Sequence, residues 1–272
     1  MAFITVNYVS NALFRTVPVN VILPADKYSA DTREYFSNPP YKTLYLLHGL
    51  LGNYTDWVNG TRIQRYAEER NLAVVMPSGD NSFYVNGVTL NNDYGEFIGK
   101  ELVEMTRRMF PLSEKREDTF IAGLSMGGFG ALRNGLKYAD TFGYIASLSG
   151  ALHILDENAL ETGGESAVFG NLEEARRSDK NPRILLEKLA HEGREIPKIY
   201  MACGLQDDLL DANRKYRELI LTAGADLTYV EEDGAHEWDF WDRHIKKVIE
   251  WLPLDCPQSG INSGNVKKQS RR

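Results

Sequence analysis

The pattern of apolar and polar positions changes character near residue 43. Before it, residues 3–9 and 16–23 alternate apolar with polar side chains and are rich in β-branched residues. That predicts two half-buried strands, paired antiparallel across Ser10-Asn11-Ala12. Residues 25–41 are polar, carry Pro39-Pro40, and read as a surface loop. After residue 43, continuous apolar runs predict strands buried on both faces at 43–48 and 72–76, and further strands are read at 119–122, 142–149, 198–203 and 226–230. Stretches of helical spacing lie between them, at 61–70, 93–110, directly after the 119–122 strand, and at 182–191, 210–223 and 237–252. In 93–110 the residues Phe97, Ile98, Leu102, Met105 and Met109 recur near a 3.6-residue period. Residues 78–90 form a long loop, and 151–181 break the rhythm with Gly163-Gly164, many charges and no clear period.

Strands alternating with helices imply an α/β fold: a mostly parallel central sheet with right-handed crossovers and helices on both faces. The irregular stretch 151–181 is the expected cap insertion, 1–254 one domain, and 255–272 a polar tail that ends in Lys267, Lys268, Arg271 and Arg272. Ligands of such sheets bind beyond the carboxyl ends of the strands. The polar clusters of this chain fall there, after Leu47, Ala122, Ala202 and Val230.

Composition narrows the function classes. The 272 residues are 43% hydrophobic and 25% charged with a net charge of -7, ordinary for a soluble protein and without the basic footprint of a nucleic-acid binder. The opening M-A-F-I-T-V-N-Y-V-S reads as a strand rather than a signal peptide, and no apolar run is long enough to span a bilayer. A cytoplasmic protein without membrane contact is the expectation, with homo-oligomerisation left open. Cys203 and Cys256 are too few for a disulfide framework or a cysteine metal site.

The chemistry centres on residues 119–131, T-F-I-A-G-L-S-M-G-G-F-G-A. A strand runs into Gly123-Leu124-Ser125-Met126-Gly127 and leaves through a glycine-rich helix start. This is the G-x-S-x-G of a nucleophile elbow, where a sharp turn projects the serine hydroxyl and leaves no room for side chains two residues either side. Serine is a poor nucleophile without a base, and the base needs an orienting carboxylate. Of the five histidines, His191 and His244 lie in helical patterns and are expected at the surface. His48 ends a strand beside Gly49, where a structural hydrogen bond is expected, and His153 is a weak contender. His236, in Glu232-Asp233-Gly234-Ala235-His236 between a strand and a helix, is the candidate base. Chain order in α/β-hydrolases runs Ser, acid, His. The acid then falls in Cys203-Gly204-Leu205-Gln206-Asp207-Asp208, and spacing alone does not choose between Asp207 and Asp208. The N–H of Met126, after the nucleophile, and that of Leu50 in His48-Gly49-Leu50 are the candidate oxyanion donors. Trp57 and Trp238 are candidate pocket residues, with core positions as the competing reading. Nothing in this scheme requires a metal or other cofactor.

Four segments in order, Y-L-L-H-G-L-L-G-N-Y-T-D-W (45–57), F-I-A-G-L-S-M-G-G-F-G-A (120–131), C-G-L-Q-D (203–207) and G-A-H-E-W-D-F-W (234–241), resemble the esterase D-like, or putative-esterase, family of α/β-hydrolases. The resemblance is greatest to bacterial tributyrin esterases and feruloyl esterases. It implies the α/β-hydrolase fold and a small-molecule ester substrate. It also implies Ser125 as nucleophile, His236 as base, Leu50 and Met126 as oxyanion donors, and Asp207 rather than Asp208 as acid, because the family's C-G-x-x-D places it four after the cysteine. The H-E-W-x-x-W ending is more like the tributyrin and feruloyl enzymes than S-formylglutathione hydrolases. A thioesterase or acyltransferase is the competing enzymatic reading, and a non-catalytic binding module the competing reading of another class.

Overall fold

The computed structural model describes residues 1–29, 32–36, 38–156 and 165–254. The tail 255–272, Cys256, and the Gly163-Gly164 part of the expected cap lie outside the described residues.

The strands are β1 (Ala2–Ser10), β2 (Arg15–Leu23), β3 (Lys27–Ser29), β4 (Glu34–Phe36), β5 (Thr43–Leu47), β6 (Ala73–Pro77), β7 (Thr119–Leu124), β8 (Tyr144–Leu148), β9 (Lys198–Gly204) and β10 (Leu227–Glu232). The helices are α1 (Asp56–Gly60), α2 (Ile63–Glu69), α3 (Tyr94–Glu96), α4 (Leu102–Met109), α5 (Met126–Lys137), α6 (Glu165–Phe169), α7 (Leu172–Arg176), α8 (Pro182–His191), α9 (Leu210–Thr222) and α10 (Trp238–Trp251). Eight strands form one sheet in the order β1-β2-β6-β5-β7-β8-β9-β10. β1, β2 and β6 pair antiparallel in turn, and every other neighbour pair is parallel. This is the mostly parallel sheet that strand–helix alternation implies, in the strand order expected of the α/β-hydrolase fold.

Alternation along the strands divides the core. Tyr45 and Leu47 of β5 face one layer, with Phe97, Leu102, Phe129, Leu132 and Ile220. Leu44 and Leu46 face the other, with Trp57, Ile63, Phe240, Ile245 and Val248. The central strands β5, β6 and β7 are buried at every position, as unbroken apolar runs require.

Two expectations need correction. Residues 25–41 are not all surface loop. β3 and β4 form a two-stranded antiparallel hairpin, and Lys27 and Tyr41 are buried. Strands of three residues are too short to leave a readable alternation. The 93–110 helix is also not one regular α-helix. Between α3 and α4 the residues Phe97–Glu101 form a π-helical turn, with the Leu102 N–H donating to the Phe97 carbonyl. The extra residue shifts the buried face, leaving Phe97, Ile98 and Leu102 in the core and Met109 exposed.

Within 151–181, α6 and α7 hold the segment to the body of the protein. Phe169 inserts against Phe83 and Phe129, with ring centroids 5.4 and 6.0 Å apart. Among the described residues, no helix is long and apolar enough to cross a membrane.

Candidate active site

β7 delivers Ser125 at its carboxyl end, where α5 begins. Ser125 has φ 53° and ψ -117°, a conformation that costs a non-glycine residue on the order of 1–3 kcal/mol. The elbow is held by the Ser125 N–H donating to the Leu148 carbonyl at 2.9 Å, and by the Ala151 N–H donating to the Ser125 carbonyl at 3.0 Å. Close backbone packing explains the glycines. A Cβ on Gly123 would lie 2.3 Å from the Gly127 carbonyl oxygen, and one on Gly127 would lie 2.4 Å from that of Leu47. The turn that follows β5 is thereby pressed onto the elbow.

That turn carries Leu50. It closes through Gly52 N–H to the Gly49 carbonyl at 3.3 Å. A Cβ on Gly49 would sit 3.5 Å from the Ser125 Cβ, so this backbone lies beside the serine side chain. Met126 is the first residue of α5, where an N–H has no intrahelical acceptor. The Leu50 turn is tied to the loop after β6 at several points. The Leu51 N–H donates to Asn81 Oδ1 at 2.8 Å, and the Tyr84 hydroxyl donates to the His48 carbonyl at 2.9 Å. The Gly79 N–H donates to His48 Nε2 at 2.8 Å, while His48 Nδ1 lies 2.7 Å from the Gly49 carbonyl. Accepting at Nε2 leaves Nδ1–H to donate, so His48 sits neutral. Burial pushes its pKa below the ordinary histidine value, in agreement with that arrangement. His48 is structural, as expected.

The loops after β9 and β10 bring two further candidates together. His236 Nδ1 lies 2.9 Å from Asp207 Oδ2. The loops are joined by Leu205 N–H to the Glu232 carbonyl at 2.8 Å and Gln206 N–H to the Gly234 carbonyl at 3.0 Å. The Gln206 side chain accepts from the Gly234 N–H at 2.7 Å. The Asp207 side chain is wholly buried, whereas Asp208 is exposed, so burial separates the two acids that spacing left open. Burial pushes the Asp207 carboxyl up. Hydrogen bonds from His236 and the Leu209 N–H outweigh it and hold the pKa below the usual carboxylate value. The His236 ring meets Trp241 edge-on, with centroids 4.9 Å apart.

The two tryptophans differ. Trp238 is half-buried, between Trp57 and Trp241 in perpendicular contacts at 5.7 and 5.2 Å. Trp57 is 1% exposed, with its indole N–H donating to the Leu47 carbonyl at 2.9 Å. It is a core residue bracing Trp238 rather than a pocket wall, which corrects that expectation. His244 is corrected as well. It is fully buried, stacked on Phe240 at 4.0 Å, while His191 is exposed. A cavity of about 200 Å³ opens beside the Leu50 turn, lined by Asp80, Asn81, Ser82, Tyr94 and, from α6, Val168. Sequence reasoning passed over Ser149 and Asn81, whose partners are remote in the chain.

The model of the Putative esterase family matches residues 10–251. The chain belongs to this family. An acetyl esterase of Caldicellulosiruptor saccharolyticus is 43% identical over 261 residues, covering 93% of this chain and 98% of that protein. Two Staphylococcus aureus structures also match this esterase-family chain. The fluorophosphonate-binding serine hydrolase FphF is 34% identical with TM-score 0.82, over 93% of this chain and 99% of that one. The S-formylglutathione hydrolase FrmB is 34% identical with TM-score 0.80, over 92% and 98%. Ester hydrolysis is the chemistry of the family, and this member is a carboxylic-ester hydrolase of the α/β-hydrolase fold.

Proposed function

We propose that this esterase hydrolyses short-chain acyl or small aromatic, feruloyl-type, esters through an acyl-enzyme on Ser125. The observation that carries the reading is the pairing of an accessible His236 with a fully buried Asp207, on loops that leave the same end of the parallel sheet as the strained serine elbow. His236 Nδ1 is committed to Asp207, which leaves Nε2 to take the Ser125 proton as the hydroxyl attacks the ester carbonyl. The tetrahedral oxyanion accepts from the N–H groups of Leu50 and Met126. The imidazolium then protonates the departing alkoxide, and water, activated by the same histidine, releases the acid. Trp238 is the aromatic side chain at hand for the acyl or alcohol group.

The acetyl esterase relative supports a short acyl group. The likeness to an S-formylglutathione hydrolase supports a second reading, thioester hydrolysis by the same residues. Initial rates on p-nitrophenyl acetate, butyrate and octanoate, methyl ferulate and S-formylglutathione, with Ser125→Ala alongside, separate the two. Preference for a short or feruloyl ester that disappears in Ser125→Ala supports the first reading. Dominant thioester turnover favours the second, and turnover that survives Ser125→Ala overturns both.

A further inference from the structure

Two four-residue turns are bonded to each other, one after β5 and one after β6. The first, Gly49-Leu50-Leu51-Gly52, carries Leu50 and closes through the Gly52 N–H to the Gly49 carbonyl at 3.3 Å. Leu51 has φ 63°, whereas Leu50 is not left-handed. A left-handed third residue alone marks a type II turn, and glycine is the residue suited to that place. Leucine there costs on the order of 1–2 kcal/mol. Flipping the Leu50–Leu51 peptide would give a type I turn, which suits leucine at both central places. The second turn opposes the flip. The Leu51 N–H donates to Asn81 Oδ1 at 2.8 Å, and a flipped peptide would aim the Leu50 carbonyl at that same oxygen. Asn81 is itself held. Its turn, Gly79-Asp80-Asn81-Ser82, closes through the Ser82 N–H to the Gly79 carbonyl at 3.3 Å, with the Ser82 hydroxyl donating to the same carbonyl at 2.6 Å. Asp80 has φ 43°, and its carboxylate is bound by Arg15 of β2 at 2.8 Å and by the Tyr94 hydroxyl of α3.

We propose that Asn81 is a positioning residue for the oxyanion donor: its side chain latches the Leu51 N–H and keeps the 49–52 turn in the strained form that presents the Leu50 N–H. The inference rests on the serine-esterase reading above. The Leu50 N–H shares a peptide plane with the Gly49 carbonyl, which is held by the Gly52 N–H and by His48 Nδ1 at 2.7 Å. The donor residue is thus braced on one side by His48 and on the other by Asn81. His48 is buried and Asn81 is exposed. Water can satisfy a Leu51 N–H that has lost Asn81, but it cannot fix the direction of that N–H. The loss is one of alignment, smaller than the roughly 10²–10³-fold that removal of an oxyanion donor costs.

The test compares Asn81→Ala, Leu51→Gly and the double variant with the wild-type chain on p-nitrophenyl acetate. Asn81→Ala should lower kcat and kcat/KM together by roughly tenfold, with KM held within about twofold. Glycine adopts φ 63° without strain, so the turn of a Leu51→Gly chain no longer needs the latch. In that background Asn81→Ala should cost less than about threefold. A side chain that served folding alone would cost the same in both backgrounds. Amide hydrogen exchange gives a reading that does not use activity. By NMR, the Leu51 amide should exchange about tenfold faster in Asn81→Ala, while the Gly79 amide, bonded to His48 Nε2 at 2.8 Å, keeps its rate within about threefold. A folded Asn81→Ala protein with wild-type kcat, an equal loss in both backgrounds, or an unmoved Leu51 exchange rate overturns the proposal. If the wild-type chain turns over no ester, the esterase reading fails, and exchange at Leu51 still decides whether Asn81 latches the turn.

Discussion

Two histidines eight positions apart, His236 and His244, each stand beside a carboxylate, and the two pairs are built the opposite way round. At His236 the acid is wholly buried and the base is open to solvent, the side chains being 0% and 36% exposed. At His244 the base is buried and the acid half-open, 0% against 39%. Asp207 spends its oxygens on His236 and the Leu209 N–H. Glu232 is claimed by Lys247, and lies 3.4 Å from His244 Nε2. The buried acid orients an accessible imidazole, which can then exchange a proton with a substrate. The buried imidazole, stacked on Phe240, has no such access. Nearness of a histidine to a carboxylate therefore says little, and which partner is buried says more.

The largest expected effect separates the pairs by activity. His236→Gln and Asp207→Asn should each lower kcat by on the order of 10³–10⁴-fold. His244→Gln should leave it within about threefold when assayed below its melting temperature. Equal losses from His236→Gln and His244→Gln would erase the distinction.

The next effect is on stability against pH. Burial, with help from Lys247 and Arg243 and against Glu232, lowers the His244 pKa from 6.5 to about 4. The folded state then favours the neutral ring, and the unfolded state binds the extra proton. The stability this group confers is complete above pH 6.5 and is lost as pH falls towards about 4. Melting temperatures of the wild type should thus fall relative to those of His244→Gln across that window. Parallel curves would show that His244 does not titrate in this way. His48, also lowered by burial, adds a slope of the same sign that this variant leaves in place.

A smaller effect is expected at Glu232. Removing its charge in Glu232→Gln breaks a part-exposed ion pair with Lys247, and exposed pairs are worth at most about 1 kcal/mol. Urea denaturation should register that loss while kcat stays unchanged. Smallest of all is Asp208→Asn. Because Asp208 is exposed, it should alter kcat less than about twofold. A loss comparable to that of Asp207→Asn would mean that the acid has been misassigned.

Much of this arrangement was legible in the sequence because strand ends are. Apolar runs place β5, β7 and β9, and the turns after them carry Leu50, Ser125 and Asp207. The choice between Asp207 and Asp208 lay outside residue spacing, since both follow the same glycine turn. Burial separates them, and burial depends on the loop after β10. His244 was readable and was misread. Phe240, His244 and Val248 recur every four residues along α10 and share its buried stripe, a signal that the neighbouring charged residues hid. Trp57 had two readings in the sequence, pocket wall or core, and α1 decides for the core by turning it inward onto the Leu47 carbonyl. Ser149 was out of reach of pattern reading altogether. Its side-chain partner is Trp241, which only the folded chain brings to it.

The most direct test of the central claim is covalent labelling of the wild-type chain with a fluorophosphonate probe, followed by intact-mass and peptide analysis. The account predicts a single adduct on the peptide that contains Ser125. That adduct should be absent in Ser125→Ala, form far more slowly in His236→Gln, and form at the wild-type rate in His244→Gln. Labelling at another residue, or labelling of Ser125 at the same rate with and without His236, would contradict it.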